Sequence, residues 1–188
     1  MSERVPEEIA EEDFVDFYNK AFYYDKKFAV ISIDMQENLI SRVVRNKDFL
    51  VRYNQRIFEL CKKKKIDFFV INTESFKYGN NIYGFSEDYD DSDAVTWMNK
   101  SCSIGLKDIN LIKTLKSRKI ESVFVTGIYT KNCIFENLFL RRDEFYIGTS
   151  FAGLCSNVKS KYDFLPWKND NEFLKKRIIN MCNLVLRQ

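Results

Sequence analysis

The sequence predicts an α/β domain, a mainly parallel sheet covered by helices on both faces in a three-layer α-β-α arrangement. Three observations predict it. The run Phe28–Asp34 is short and nearly all apolar, and Ile66–Asn72 and Ile120–Thr126 are short and apolar enough to be strands buried on both faces. Segments with apolar residues at helical spacing alternate with these runs, and that alternation gives a parallel sheet. The chain has 188 residues, 45% hydrophobic and 30% charged, which fits one globular domain with a sizeable core. Residues 1–188 therefore read as a single domain, with 1–26 as an N-terminal helical extension.

Residues 7–24 read as a helix. Pro6 suits the first helical position, and Glu7, Glu8, Glu11 and Glu12 suit its positive end. Phe14, Phe17, Tyr18, Ala21 and Phe22 form one apolar face, for packing on the chain's own core or for a subunit contact. Phe28–Asp34 is the first strand. Its terminal carboxylate lies where open α/β sheets place their sites, although position alone also fits a turn or cap aspartate. Asp48–Lys62 reads as a helix and Lys62–Lys65 as its solvated, cation-favouring end. After the strand Ile66–Asn72, residues 73–93 form a long loop. Its acidic cluster lacks the glycine and distal glutamate of a calcium loop.

Ala94–Asn99 is a short strand leading to Lys100, and Ile109–Ser117 is a helix. Ile120–Thr126 is the next strand. Gly127 supplies the break after it, because glycine tolerates the backbone angles of a strand-to-helix turn. Lys131–Arg142 follows as a helix and Glu144–Thr149 as a strand. Residues 151–168 are irregular, and Asn171–Leu186 is a final helix. There is no internal repeat, linker or low-complexity tract.

Composition excludes several functions. Thirty Lys and Arg against 27 acids leave +3, too little to argue for nucleic acid or an anionic membrane. No apolar run reaches about 18 residues, the span of a membrane helix. The acidic N-terminus lacks a signal-peptide core, so a cytosolic protein is expected. The five cysteines are scattered, with no CxxC pair, which fits free thiols in a reducing compartment. Histidine is absent. That rules out Ser-His and Cys-His pairs and every His-containing metal site. Proton transfer then falls to carboxylates, Lys, Tyr or Cys.

Cys133 sits where the helix after Gly127 is expected to start. Unpaired N–H groups and the positive helix end favour a thiolate there; a small buried residue is the alternative reading. With it stand Asp34, at the end of the first strand, and Lys100. The three segments are Ile33-Asp34-Met35-Gln36, Asn99-Lys100-Ser101-Cys102-Ser103 and Val125-Thr-Gly-Ile-Tyr-Thr-Lys-Asn-Cys133.

This ordered set resembles the isochorismatase-like cysteine hydrolases, the superfamily of nicotinamidases and N-carbamoylsarcosine amidohydrolases. They show Asp-x-Gln, then Lys-x-x-Ser, then Thr-Gly-x-x-Thr-x-x-Cys. The resemblance runs from about Phe28 to Gly153 and implies a Rossmann-like, isochorismatase-like parallel sheet. It implies Cys133 as nucleophile, Asp34 as acid/base and Lys100 as the cation that favours the thiolate. It implies a non-proline cis peptide between Ile128 and Tyr129, with the N–H groups of Tyr129 and Cys133 as oxyanion hole. Leu39, Trp97, Ile128 and Tyr129 are expected at the substrate pocket, and more weakly Phe76. The reaction implied is hydrolysis of a small amide or ureido C–N bond, not a peptide bond, through a thioester. A homo-oligomer is expected.

The sequence also departs from the pattern. Nicotinamidases of the superfamily hold a metal through Asp-x-His and a later His, and this chain has no histidine. No metal and no cofactor are therefore expected, and nicotinamide is disfavoured. Leu39 replaces a usual aromatic, Gly105 a usual phenylalanine, and Ser150-Phe151 a usual Asp-Ala. These changes keep open a catalytically inactive binding or oligomeric scaffold. A thiol redox protein using Cys133 with Cys102 or Cys155 is a third reading, which the absence of CxxC disfavours.

Overall fold

The computed structural model describes residues 5–23, 25–41, 47–73, 79–84, 94–100, 105–128, 133, 144–149 and 154–155. In chain order they form α1 (Pro6–Tyr23), β1 (Phe28–Ile33), α2 (Glu37–Ile40), α3 (Lys47–Lys64), β2 (Asp67–Thr73), β3 (Val95–Lys100), a 3₁₀ turn (Gly105–Lys107), α4 (Ile109–Ser117), β4 (Ser122–Ile128), β5 (Tyr146–Gly148) and β6 (Leu154–Cys155). The strands lie in the order β3-β2-β1-β4-β5, with β6 against the end of β4. Among the described residues every strand pairing is parallel, and Gln36 and Asn81 form an isolated antiparallel bridge.

Strand periodicity splits the core in two. Val30, Phe68, Val70 and Phe124 face α1 and α3, meeting Phe14, Tyr53, Ile57 and Phe58. Ala29, Ile31, Ile33, Phe69, Ile71, Val123 and Val125 face the other way, meeting Leu111 and Leu115 of α4 together with Cys133. This is the three-layer arrangement expected of apolar strands.

Phe14, Phe17, Tyr18 and Ala21 of the apolar face of α1 pack on the chain's own core, while Phe22 is exposed. Phe14 is 1% exposed, and the Phe17 ring packs on Phe28 and Phe124. Burying one such side chain contributes about 1.5–3 kcal/mol. Arg52 and Arg56 of α3 pair with Glu7 and Glu11 of α1, exposed contacts that orient more than they stabilise.

α1, α3 and α4 enter their strands through the same turn. Lys26 N–H donates to Ala21 O, Ile66 N–H to Cys61 O and Ile120 N–H to Leu115 O, at 2.8–2.9 Å. The residue before each donor, Asp25, Lys65 or Lys119, is left-handed, with φ of 51°, 54° and 56°. These are Schellman closures lacking their usual glycine. At the opposite end of α4, Asp108 accepts from the N–H groups of Asn110 and Leu111, a helix N-cap.

Two expectations change. The fourth strand runs to Ile128, so Gly127 lies inside β4 and does not end it. α2 and β6 were not foreseen, because four-residue and two-residue elements are too short to show a period. The expected helix Asn171–Leu186, and all of Lys131–Arg142 except Cys133, lie outside the described residues. Among the described residues no helix is long and apolar enough to cross a membrane.

Candidate active site

The strand order reverses direction between β1 and β4, and crevices at such switch points are where open α/β sheets bind ligands. β1 ends at Ile33 and delivers Asp34 to that edge. Asp34 N–H donates to Ile71 O of β2 at 2.8 Å. Its φ is 57°, a left-handed conformation that aspartate tolerates better than most residues.

Lys100 is the last residue of β3, on the same sheet face as Met98. It donates to Asp34 Oδ2 and, at 3.5 Å, to Cys133 Sγ. Asp34 is 3% exposed, Lys100 4% and Cys133 7%, so the three groups meet almost out of water. The structure thus brings together the acid, cation and thiol that the sequence singled out. Cys133 itself has helical backbone; the residues on either side of it lie outside those described.

Burial raises the Asp34 carboxyl above the ordinary aspartate value, while the Lys100 charge and hydrogen bond, then Cys133, pull it back. Among the described residues its second oxygen, Oδ1, is buried with no hydrogen-bond partner. A carboxyl lifted by burial suits a proton carrier. Cys61 differs: burial alone pushes its thiol well up, as for an inert core cysteine.

Gln36 is wholly buried and fixes the turn after Asp34. Its side chain accepts from Thr73 N–H at 3.0 Å and donates to Gly79 O at 3.3 Å. The neighbouring backbone binds 80–82, through Glu37 N–H to Asn80 O and Ile82 N–H to Met35 O. Gln36 belongs to the quoted Asp-x-Gln segment, yet its clamping role was not read from sequence, since the partners are backbone groups 37 and 43 residues away.

Of the expected pocket residues, Leu39 and Ile128 are buried in one cluster with Met35, Ile40 and Leu50. Trp97 is placed on the opposite sheet face from Lys100, against the α1–α3 layer. Tyr129, the Ile128–Tyr129 peptide, Phe76 and Cys102 lie outside the described residues, as does the side chain of Cys155. The donor set does not fit a nicotinamidase-type metal. Histidine is absent from the chain, and no cluster of three acidic or cysteine ligands exists among the described residues.

No protein-family model and no curated protein sequence matches the chain. Solved structures do. A MAR1 ribonuclease from Caenorhabditis elegans superposes with a TM-score of 0.62 at 16% identity, over 83% of this chain and 74% of that one. The nicotinamidase of Staphylococcus aureus gives 0.62 at 14% identity, over 77% and 93%. An isochorismatase-like hydrolase from Alkaliphilus metalliredigens gives 0.58 at 19% identity, over 78% and 91%. The fold is therefore isochorismatase-like, structurally similar to isochorismatase-family hydrolases, nicotinamidases and MAR1-type proteins.

Proposed function

We propose that the protein is a metal-independent cysteine hydrolase of a small amide or ureido compound, with Asp34, Lys100 and Cys133 as its catalytic groups. The observation that carries this reading is the single ammonium of Lys100 bridging Asp34 and Cys133 in a buried site. At 3.5 Å from Sγ that charge favours a thiolate. The solved structures it resembles include a ribonuclease and a nicotinamidase, so the reading rests on these three groups and not on the fold.

In this mechanism the Cys133 thiolate attacks the carbonyl carbon. The oxyanion is received by backbone N–H groups, in the resemblance those of Tyr129 and Cys133; one such donor is worth about 2.7–4 kcal/mol. Asp34 gives its proton to the departing nitrogen and the C–N bond breaks, leaving a thioester. Asp34 then takes a proton from water, whose oxygen attacks the thioester and frees the acid and the thiolate. Lys100 holds both partners in place. Leu39 and Ile128 belong to the apolar side of the pocket. One domain and a homo-oligomer complete the proposal.

The test is ammonia release across a panel of small amides and ureido compounds, with Cys133→Ala as control. Release by the native protein that falls at least about 10³-fold in the variant supports the reading. Silence across the panel, with Cys133 unreactive toward alkylation, supports a non-catalytic scaffold instead.

A further inference from the structure

The opposite edge of the sheet carries a second feature. A cleft of about 210 Å³ is lined by Tyr18, Phe22, Lys26, Lys27, Lys65 and Asp67, with Phe28 and Ile66 at its floor. It lies at the N-terminal ends of β1 and β2, about 20 Å of strand away from Asp34. None of its residues serves the site described above.

Topology concentrates charge here. The three helix-to-strand turns, 25–27, 62–65 and 118–119, carry eight Lys or Arg side chains. The acids beside them are Asp25, Asp67 and Glu121, and two are already engaged. Asp67 pairs with Lys27 at 3.1 Å and Arg118 at 2.6 Å, and Glu121 with Lys26 at 2.8 Å. Lys63, Lys65 and Lys119 form no ion pair among the described residues. Helix C-termini attract cations, about half a charge each, and three helices end here; the basic excess exceeds that demand. The +3 of the whole chain conceals this local concentration.

Aromatic surface adjoins the charge. The Phe22 ring is 77% exposed at the cleft's edge. Tyr18 forms a second wall, fixed against Phe28 and Phe14 and capped by the Lys64 ammonium 4.9 Å from its ring centre. A flat ring beside an unpaired ammonium matches a ligand with a planar base and an anionic phosphate.

We propose that this cleft binds a nucleotide, its base against Phe22 and its phosphate at Lys65 and Lys27. The nucleotide is either free or one unit of a single strand, and the two sources share this chemistry.

Calorimetry on the full chain tests it with adenosine monophosphate, adenosine, inorganic phosphate and hexa-adenylate RNA as probes. The monophosphate binds native protein and Cys133→Ala equally, and at least about tenfold tighter than adenosine or phosphate alone. Phe22→Ala and Lys65→Gln, both at exposed positions, each weaken it about tenfold with melting temperature unchanged. Hexa-adenylate binding tighter than the monophosphate, with a steep salt dependence, identifies a strand as the source; equal affinity identifies a free nucleotide. No binding at millimolar concentration, or affinity that neither variant changes, overturns the proposal.

Discussion

Gly127 and Ile33 meet where β4 and β1 pass beneath the Asp34 carboxyl: a β-carbon on Gly127 would stand 2.1 Å from the Ile33 carbonyl oxygen. Gly127 also has φ of 115°, which disfavours any side chain. Gly127→Ala is expected to cost about 3 kcal/mol or more and to displace Asp34, the next residue after Ile33. Urea unfolding measures the first effect and substrate turnover the second. A variant as stable as the native protein would show that β1 and β4 are not in this register.

Lys100 is worth more to stability than its exposed counterparts. Removing one partner of a buried pair costs about 3–5 kcal/mol because the other is left uncompensated. Asp34 is already raised by burial and can escape as the neutral acid, so Lys100→Met is expected at the lower end of that range. Adding Asp34→Asn should recover at least about 1 kcal/mol, since it removes the stranded carboxyl. A double variant no more stable than Lys100→Met would contradict this origin of the cost.

Asp34 gives stability a pH dependence of defined sign. Its folded-state value lies above the ordinary 3.8 because of burial, against the pull of Lys100. Below the unfolded value both states are protonated and Asp34's contribution is complete. As pH rises past 3.8 the unfolded chain ionises first, and that contribution is lost until the folded carboxyl ionises too. Stability of the native protein should therefore fall relative to Asp34→Asn as pH rises through this window. Denaturant unfolding of both proteins from pH 3.5 to 7 checks it; a constant difference, or one of opposite sign, contradicts the raised carboxyl.

Much of this architecture was legible in the sequence because its cause is local. Phe28–Ile33 and Asp67–Thr73 are apolar runs that only a doubly covered strand explains. α4 was legible as the helix Ile109–Ser117, although its Asp108 cap was read only from the structure. The association of Asp34, Lys100 and Cys133 was legible only through the ordered motifs, because the spacings of 66 and 33 residues carry no geometry of their own. Gly127 was misplaced because a close backbone approach and a turn both call for glycine. The Gln36 clamp stayed hidden because its partners are main-chain groups, which have no residue signature. Trp97 stands three residues before Lys100 in the same strand, so the two side chains take opposite faces of the sheet.

The most direct test of the cysteine reading is competition among the thiols of the native chain. Iodoacetamide at pH 6, followed by peptide mass mapping, should label Cys133 ahead of Cys61, Cys102, Cys155 and Cys182. Lys100→Met should slow that labelling at least about tenfold, because the ammonium 3.5 Å from Sγ is gone. Faster labelling of any other cysteine, or a Cys133 rate indifferent to Lys100, would contradict the assignment of Cys133 as the nucleophile.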